Sequence, residues 1–291
     1  MIYPYILDLA ILKTFIILNR NNNLKKKQPM KKLIPLNNDV DKLMAFIPSL
    51  NPSWRSNQRI TSSPHQIESL DVINSFKEQG WRIAGAYEKL KNGSRKVGSH
   101  FIEMTHPDFM VKNKKGQTEA VANISIQNSC NGSKPLEIDL GAFRQVCSNG
   151  LVAHTSYSSY KLRHTEKNKN SLYDVLCLAN SNAAKVIEEF NKMKHYDMSP
   201  SQMVEFAVNA AKIRFGDDYN MVDISQLLKV VRSEDEGSDL WTVFNRVQEN
   251  LTQSDRIVDV NGAVVSGLGV EEDLRVNKEL YSLVELVGNN N

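Results

Sequence analysis

The chain has 291 residues, 41% of them hydrophobic and 24% charged, with a formal net charge of +3; this ordinary globular composition excludes collagen-like, disulfide-stapled and broadly disordered classes. Its three cysteines, Cys130, Cys147 and Cys177, form no CxxC pair, so neither a zinc knuckle nor a disulfide framework is expected, and reduced thiols suit a cytoplasm. Charge is divided along the chain: residues 1–170 carry 25 Lys and Arg against 13 Asp and Glu, a balance of +12, whereas residues 171–291 carry 11 against 20, a balance of −9.

The first element is an apolar run, Tyr3 to Leu18. It is shorter than the roughly 20 residues of a membrane span, Asp8 and Lys13 interrupt it, and neither a basic leader nor a cleavage site accompanies it. Residues 1–29 are therefore expected to be an extension, disordered or upstream of a translation start at Met30, and no membrane partner is expected. Asp39 to Leu50 reads as a short helical or irregular segment and Asn51 to Ser63 as a loop. Pro64 to Gln79 repeats Ile67, Leu70, Ile73 and Phe76 at helical spacing, with Gly80 as a stop.

Strands follow. Trp81 to Leu90 and Lys96 to His106 flank Asn92-Gly93, a dipeptide that accepts the positive φ of a tight hairpin turn. Pro107 and Lys112 to Gly116 predict a loop. Glu119 to Asn128 alternates cleanly, Asn131-Gly132 is a second turn signal, and Leu136 to Phe143 is the next strand. Val146 to His154 and Tyr157 to Arg163 extend the sheet. The remainder is helical: Leu172 to Met193 carries an apolar stripe, and Ser199-Pro200 with Gln202 makes a capping box for a helix to about Phe215. Asp223 to Val231, Asp239 to Thr252 and Leu274 to Val287 read as further helices, with a short strand or hairpin at Val258 to Val265. The fold class is α+β: an antiparallel β-meander of about four to six strands followed by a mostly helical C-terminal half. A basic β-rich region (residues 30–170) and an acidic helical region (residues 171–291) are expected to pack as one domain.

A basic half suits phosphate backbones, whose neutralisation releases counterions. The hairpin carries Arg82, Lys91, Arg95 and Lys96, and further on Arg144, Lys161 and Arg163 surround Tyr157 and Tyr160. Cations tracking a backbone, interleaved with rings that stack on bases, are what a single-strand binder needs. The plain alternatives are solvated surface charge, edge-strand lysines that block aggregation, and oppositely charged halves pairing within or between subunits, the latter making a homo-oligomer. Cys147 lies near Asn149, His154 and His164, which would suit a thiol hydrolase, although an unpaired cysteine among apolar residues is commonly a small buried hydrophobe. No three ligands have metal spacing and no glycine-rich phosphate loop occurs, so neither a metal nor a cofactor is expected.

Gly80-Trp81-Arg82-Ile83, the string from Ile138 to Leu151 with FRQVCSNGL at its end, Arg163-His164 and the run from Trp241 to Leu251 resemble the phage/plasmid-like proteins of domain-of-unknown-function family 932, which has prophage-encoded members. The resemblance implies a mobile-element setting and the cytoplasm of a bacterial host; it supplies no reaction. Relatives tend to read Asn-Ser-His-Asp-Gly-Ser where this chain has Asn128-Ser129-Cys130-Asn131-Gly132-Ser133, which leaves that segment a turn rather than an acid–base or metal site. Taken together these readings predict a nucleic-acid-binding accessory protein, with single-stranded DNA favoured, in recombination or replication. The rivals are a protein-interaction module acting on a host defence factor and a hydrolase using Cys147.

Overall fold

The computed structural model describes residues 34–91, 94–113, 116–145, 152–253 and 255–288. All of them belong to the second of two units into which the chain divides, residues 31–291. The predicted Asn92-Gly93 turn, the segment 1–29 and Cys147 lie outside the described residues.

Six strands form one antiparallel sheet in sequence order: β1 (Ile34–Pro35), β2 (Arg82–Lys91), β3 (Ser94–Lys112), β4 (Thr118–Ser129), β5 (Leu136–Gln145) and β6 (Val152–Leu162). The meander follows from period-two alternation and short turns, because antiparallel neighbours need only a hairpin connection. Two expectations change. β3 continues through Pro107, where a loop is predicted, because the register with β4 shifts between Thr105 and Met110; the proline falls in that irregularity, where no ladder bond needs its missing N–H. The described parts of the two segments read beyond Phe143 form one strand, β6, paired along its length with β5; residues 146–151 lie outside the described residues.

Alternation also sorts the faces. Ile102, Met104, Ala122, Ile124, Ile126, Ile138, Leu140 and Ala142 share one face and are buried. The long helix packs there. In chain order the helices are α1 (Val40–Phe46), α2 (Pro52–Asn57), α3 (Ser69–Glu78), α4 (Glu166–Asn170), α5 (Leu172–Met193), α6 (Pro200–Phe215), α7 (Leu240–Thr252) and α8 (Val270–Gly288). α5 lays Leu176, Ala179, Ala183, Val186 and Phe190 onto β3, β4 and β5. The Trp81 indole N–H donates to Asn180 at 2.8 Å and the Asn182 amide donates to the Tyr160 hydroxyl at 2.9 Å, fixing the helix's rotation.

The capping box predicted at Ser199 and Gln202 is present, with Pro200 inside the helix start. α7 begins one residue after its cap Asp239, which accepts from Thr242. Asn51 to Ser63 is not all loop: Asn51 accepts from the backbone of Ser53 and Trp54, and α2 follows. The helix expected over Asp223 to Val231 is absent; that stretch holds a 3-10 turn, Ile224–Gln226, and irregular backbone.

Candidate nucleic-acid interface

The antiparallel order brings the β2–β3 hairpin, the β4–β5 turn and the end of β6 to one end of the sheet, since Lys91 pairs with Ser94 and Leu136 with Leu162. Glu271 of α8 ties two of these segments together, accepting from Lys89 and, at 2.6 Å, from Lys134. His164 ties in the third. Its Nδ1 accepts the Ile67 N–H at 3.1 Å and its Nε2 meets the Lys134 carbonyl at 2.8 Å, which fixes a neutral ring with the proton on Nε2.

The turn itself is rigid. Gly132 has φ +72°, and a Cβ there would meet Gln66 Oε1 and Ser63 Cβ, each at 2.9 Å. The Cys130 carbonyl accepts from Arg55 at 3.1 Å and from Ser62 at 3.2 Å. Burial pushes the Cys130 thiol up from its ordinary value, with Arg55 opposing, so this cysteine is a packed group rather than a nucleophile.

The predicted contact residues fall in two places. Lys91, Arg95, Lys96 and Lys161 hold strand positions at this end of the sheet, and Arg163 follows the last residue of β6. Arg82 opens β2 at its opposite end, and Arg144 pairs with Ala120 and Ala153 near the far turns. Tyr157 falls at the register shift of β6, between Ser156 and Ser158. For Lys91, Arg95, Lys96, Arg144 and Tyr157 strand position is all that is described. Tyr160 is half-buried against the core, its hydroxyl engaged by Asn182. Lys161 pairs with Glu137, and Asp139 is paired with Lys278 at 2.7 Å.

Sequence reading passed over four residues at the same end. Lys134 sits in the β4–β5 turn, Lys167 and Lys169 are exposed on α4, and Tyr173 follows at the start of α5 with 69% of its surface exposed. Arg163, Lys167 and Lys169 have no carboxylate within ion-pair distance among the described residues. The run Glu166-Lys-Asn-Lys-Asn170 was the signal; a strand ending just before it places that run beside the hairpins.

A second polar array crosses the other face of the sheet. Glu103, Ser125, Asp139 and Ser159 stand directly opposite one another on β3, β4, β5 and β6. Glu103 is wholly buried, accepting from Ser125 Oγ at 2.6 Å and Asn123 Nδ2 at 2.7 Å. Burial pushes its carboxyl up to about 8, against those two hydrogen bonds and with Asp139 and Asp273 adding to the rise. Lys278 of α8 closes the array on Asp139 and reaches Ser159 Oγ at 3.3 Å. Among the described residues no group of three or more His, Cys, Asp or Glu side chains could hold a metal ion, and no helix is long and apolar enough to cross a membrane.

Residues 65–279 match the family described as domain of unknown function DUF932. Two proteins of Escherichia coli strain K12 are similar over most of the chain. UPF0380 protein YafZ is 26% identical over 235 residues, and UPF0380 protein YfjQ is 26% identical over 234; each alignment covers 75% of this chain and 80% of the relative. No solved structure matches.

Proposed function

The chain belongs to the DUF932 family, and from that premise we propose that it is a nucleic-acid-binding accessory protein that holds single-stranded DNA across the basic end of its sheet, in recombination or replication of a phage or plasmid. One observation carries this reading: cationic residues from three separate segments meet at that end. They are the hairpin with Lys91, Arg95 and Lys96, the turn with Lys134, and the run from Lys161 to Lys169. Glu271 and Glu137 neutralise Lys89, Lys134 and Lys161 in part; Arg163, Lys167 and Lys169 have no carboxylate partner among the described residues.

Single strands are favoured over duplex by Tyr173. It is 69% exposed and follows Lys169 by four residues; an exposed ring stacks on an unpaired base and contributes about 1–3 kcal/mol per base, whereas paired bases hide their faces. Phosphate contacts fix position without reading sequence, so the binding is general rather than specific.

The test is fluorescence anisotropy with a labelled oligothymidylate and with a duplex of equal length, across a salt series. Three phosphate contacts give a log–log slope near −2, at roughly −0.7 per contact on single strands, and Tyr173→Ala weakens the single-strand complex more than the duplex one. Absence of binding at low salt, or a slope indistinguishable from zero, overturns the reading.

A further inference from the structure

The acidic half carries an exposed apolar patch with a built shape. Residues 257–265 form a tight hairpin: Val258 bridges Val264, the Asp259 N–H donates to the Ala263 carbonyl at 2.9 Å, and Asp259 Oδ1 accepts from the backbone of Asn261 and Ala263. It is pinned to the preceding 3-10 segment, where the Val260 N–H donates to the Met221 carbonyl and the Gln226 amide pairs with Val258 in both directions. Ile257 points inward and is fully buried. That anchor is sufficient to seat the hairpin, yet the outward positions are also apolar: Val258, Val260 and Val264 are 38%, 63% and 58% exposed, beside Met221 at 41%. Four of the nine large hydrophobics exposed among the described residues gather on this one feature. Scattered exposed valines need no explanation, but a contiguous group does.

The segments that carry the patch are predominantly acidic. Asp217, Asp218, Asp223 and Asp255 are exposed and Asp259 is half-exposed, outnumbering the exposed Lys212 and Lys229 of the same segments, while the neighbouring Arg232 and Arg256 are both spent on Glu249. Self-pairing of two such patches would set like charges face to face. The complementary surface on the same molecule is the basic end of the sheet, with Arg163, Lys167 and Lys169, followed in sequence by the exposed Tyr173. We propose that the Met221–Val258–Val260–Val264 patch docks the basic sheet end of a second copy, giving a head-to-tail, heterologous contact. Nucleic acid and the neighbour's acidic patch then compete for one surface, and self-association holds the binding end covered until a polyanion displaces it.

Sedimentation velocity on the full chain, without nucleic acid, tests this. Wild-type protein forms concentration-dependent oligomers at low salt that dissociate as salt screens the contact. Val260→Lys with Val264→Lys destroys the acidic-side face, and Lys167→Glu with Lys169→Glu destroys the basic-side face; each double variant is monomeric, with an unchanged circular dichroism spectrum. Mixed together, they retain one intact face each and form a 1:1 dimer that grows no further. A wild-type chain that stays monomeric at every concentration, or a mixture that fails to pair, overturns the proposal. Neither result bears on oligonucleotide binding measured on the monomer, so the two readings fail separately.

Discussion

Glu103 is the residue whose surroundings depart furthest from its sequence context. Between Ile102 and Met104, strand alternation assigns it to solvent, and its face of the sheet is indeed polar. Sequence cannot show that this face is also covered: Glu103, Asn123, Ser125 and Asp139 are all buried, and α8 brings Lys278 and Asp273 to them from more than a hundred residues away. The carboxyl, pushed up to about 8, holds its proton in the folded state while the unfolded chain loses its own above the ordinary value of 4.5. Folding then takes up a proton, so stability falls as pH rises through that window and levels off above it. A glutamine cannot ionise. It keeps an acceptor for Asn123, and the Ser125 hydroxyl turns to accept its amide. Glu103→Gln should therefore raise the melting temperature by several degrees at about pH 9 and by little below about pH 4, as measured by calorimetry at the two pH values; equal shifts at both would show that ionisation is not the cause. His100 acts at the acid end. Burial first, and then Arg55, hold it down at about 3, and Ser69 Oγ meets its Nε2 at 2.7 Å. Its neutral ring costs stability as pH falls below 6.5, where the unfolded imidazole charges.

At the scale of elements, β2 to β6 were legible from alternation and from Asn-Gly or glycine-bearing turns, and α5 and α6 were legible from stripe and cap. What escaped was any segment whose backbone partners are distant. The stretch after α6 is the clearest case. It scans as a helix over Asp223 to Val231, but Asn250 of α7 donates its amide to the carbonyls of Leu227 and Lys229, at 3.0 and 2.9 Å. Those carbonyls are fixed by a side chain instead of by a helical N–H. Arg246 does the same for Asp235 and Gly237, and Glu249 draws in Arg232 and Arg256. α7 is amphipathic in sequence and yet buried on every side, because its polar face is the template on which the irregular wrap is laid. Asn250→Ala should leave the buried Leu227 carbonyl and the part-buried Lys229 carbonyl without this donor, at a cost of about 1–3 kcal/mol. Hydrogen exchange should show protection lost first over residues 222–238, ahead of the sheet; uniform loss across the chain would mean that the wrap is not a local unit.

For the whole molecule, the division of charge along the chain is only partly a division in space. Glu271 from the acidic half neutralises Lys89 and Lys134 of the basic half. In the other direction Lys194 reaches Glu119 at 2.5 Å and Lys278 reaches Asp139. These pairs bind the two halves into one unit: Glu271 offsets basic-half lysines, while Lys194 and Lys278 offset basic-half carboxylates. One group of cations without a carboxylate partner among the described residues lies at α4 and the end of β6, which no count of charges by halves could place; the strand register and the contact of His164 with the Lys134 carbonyl bring this run to the β4–β5 turn. If that end contacts phosphates, position should matter more than net charge. Lys167→Glu with Lys169→Glu should reduce the log–log salt slope on single-stranded DNA by about 1.4, the loss of two contacts at roughly 0.7 each. Lys185→Glu, on an exposed face of α5 roughly 20 Å along the helix from its start, changes net charge in the same sense and should leave the slope nearly as it was. If the distant lysine lowers affinity as much per charge as the α4 pair, the attraction belongs to the molecule's overall field and not to a surface built at the sheet's end.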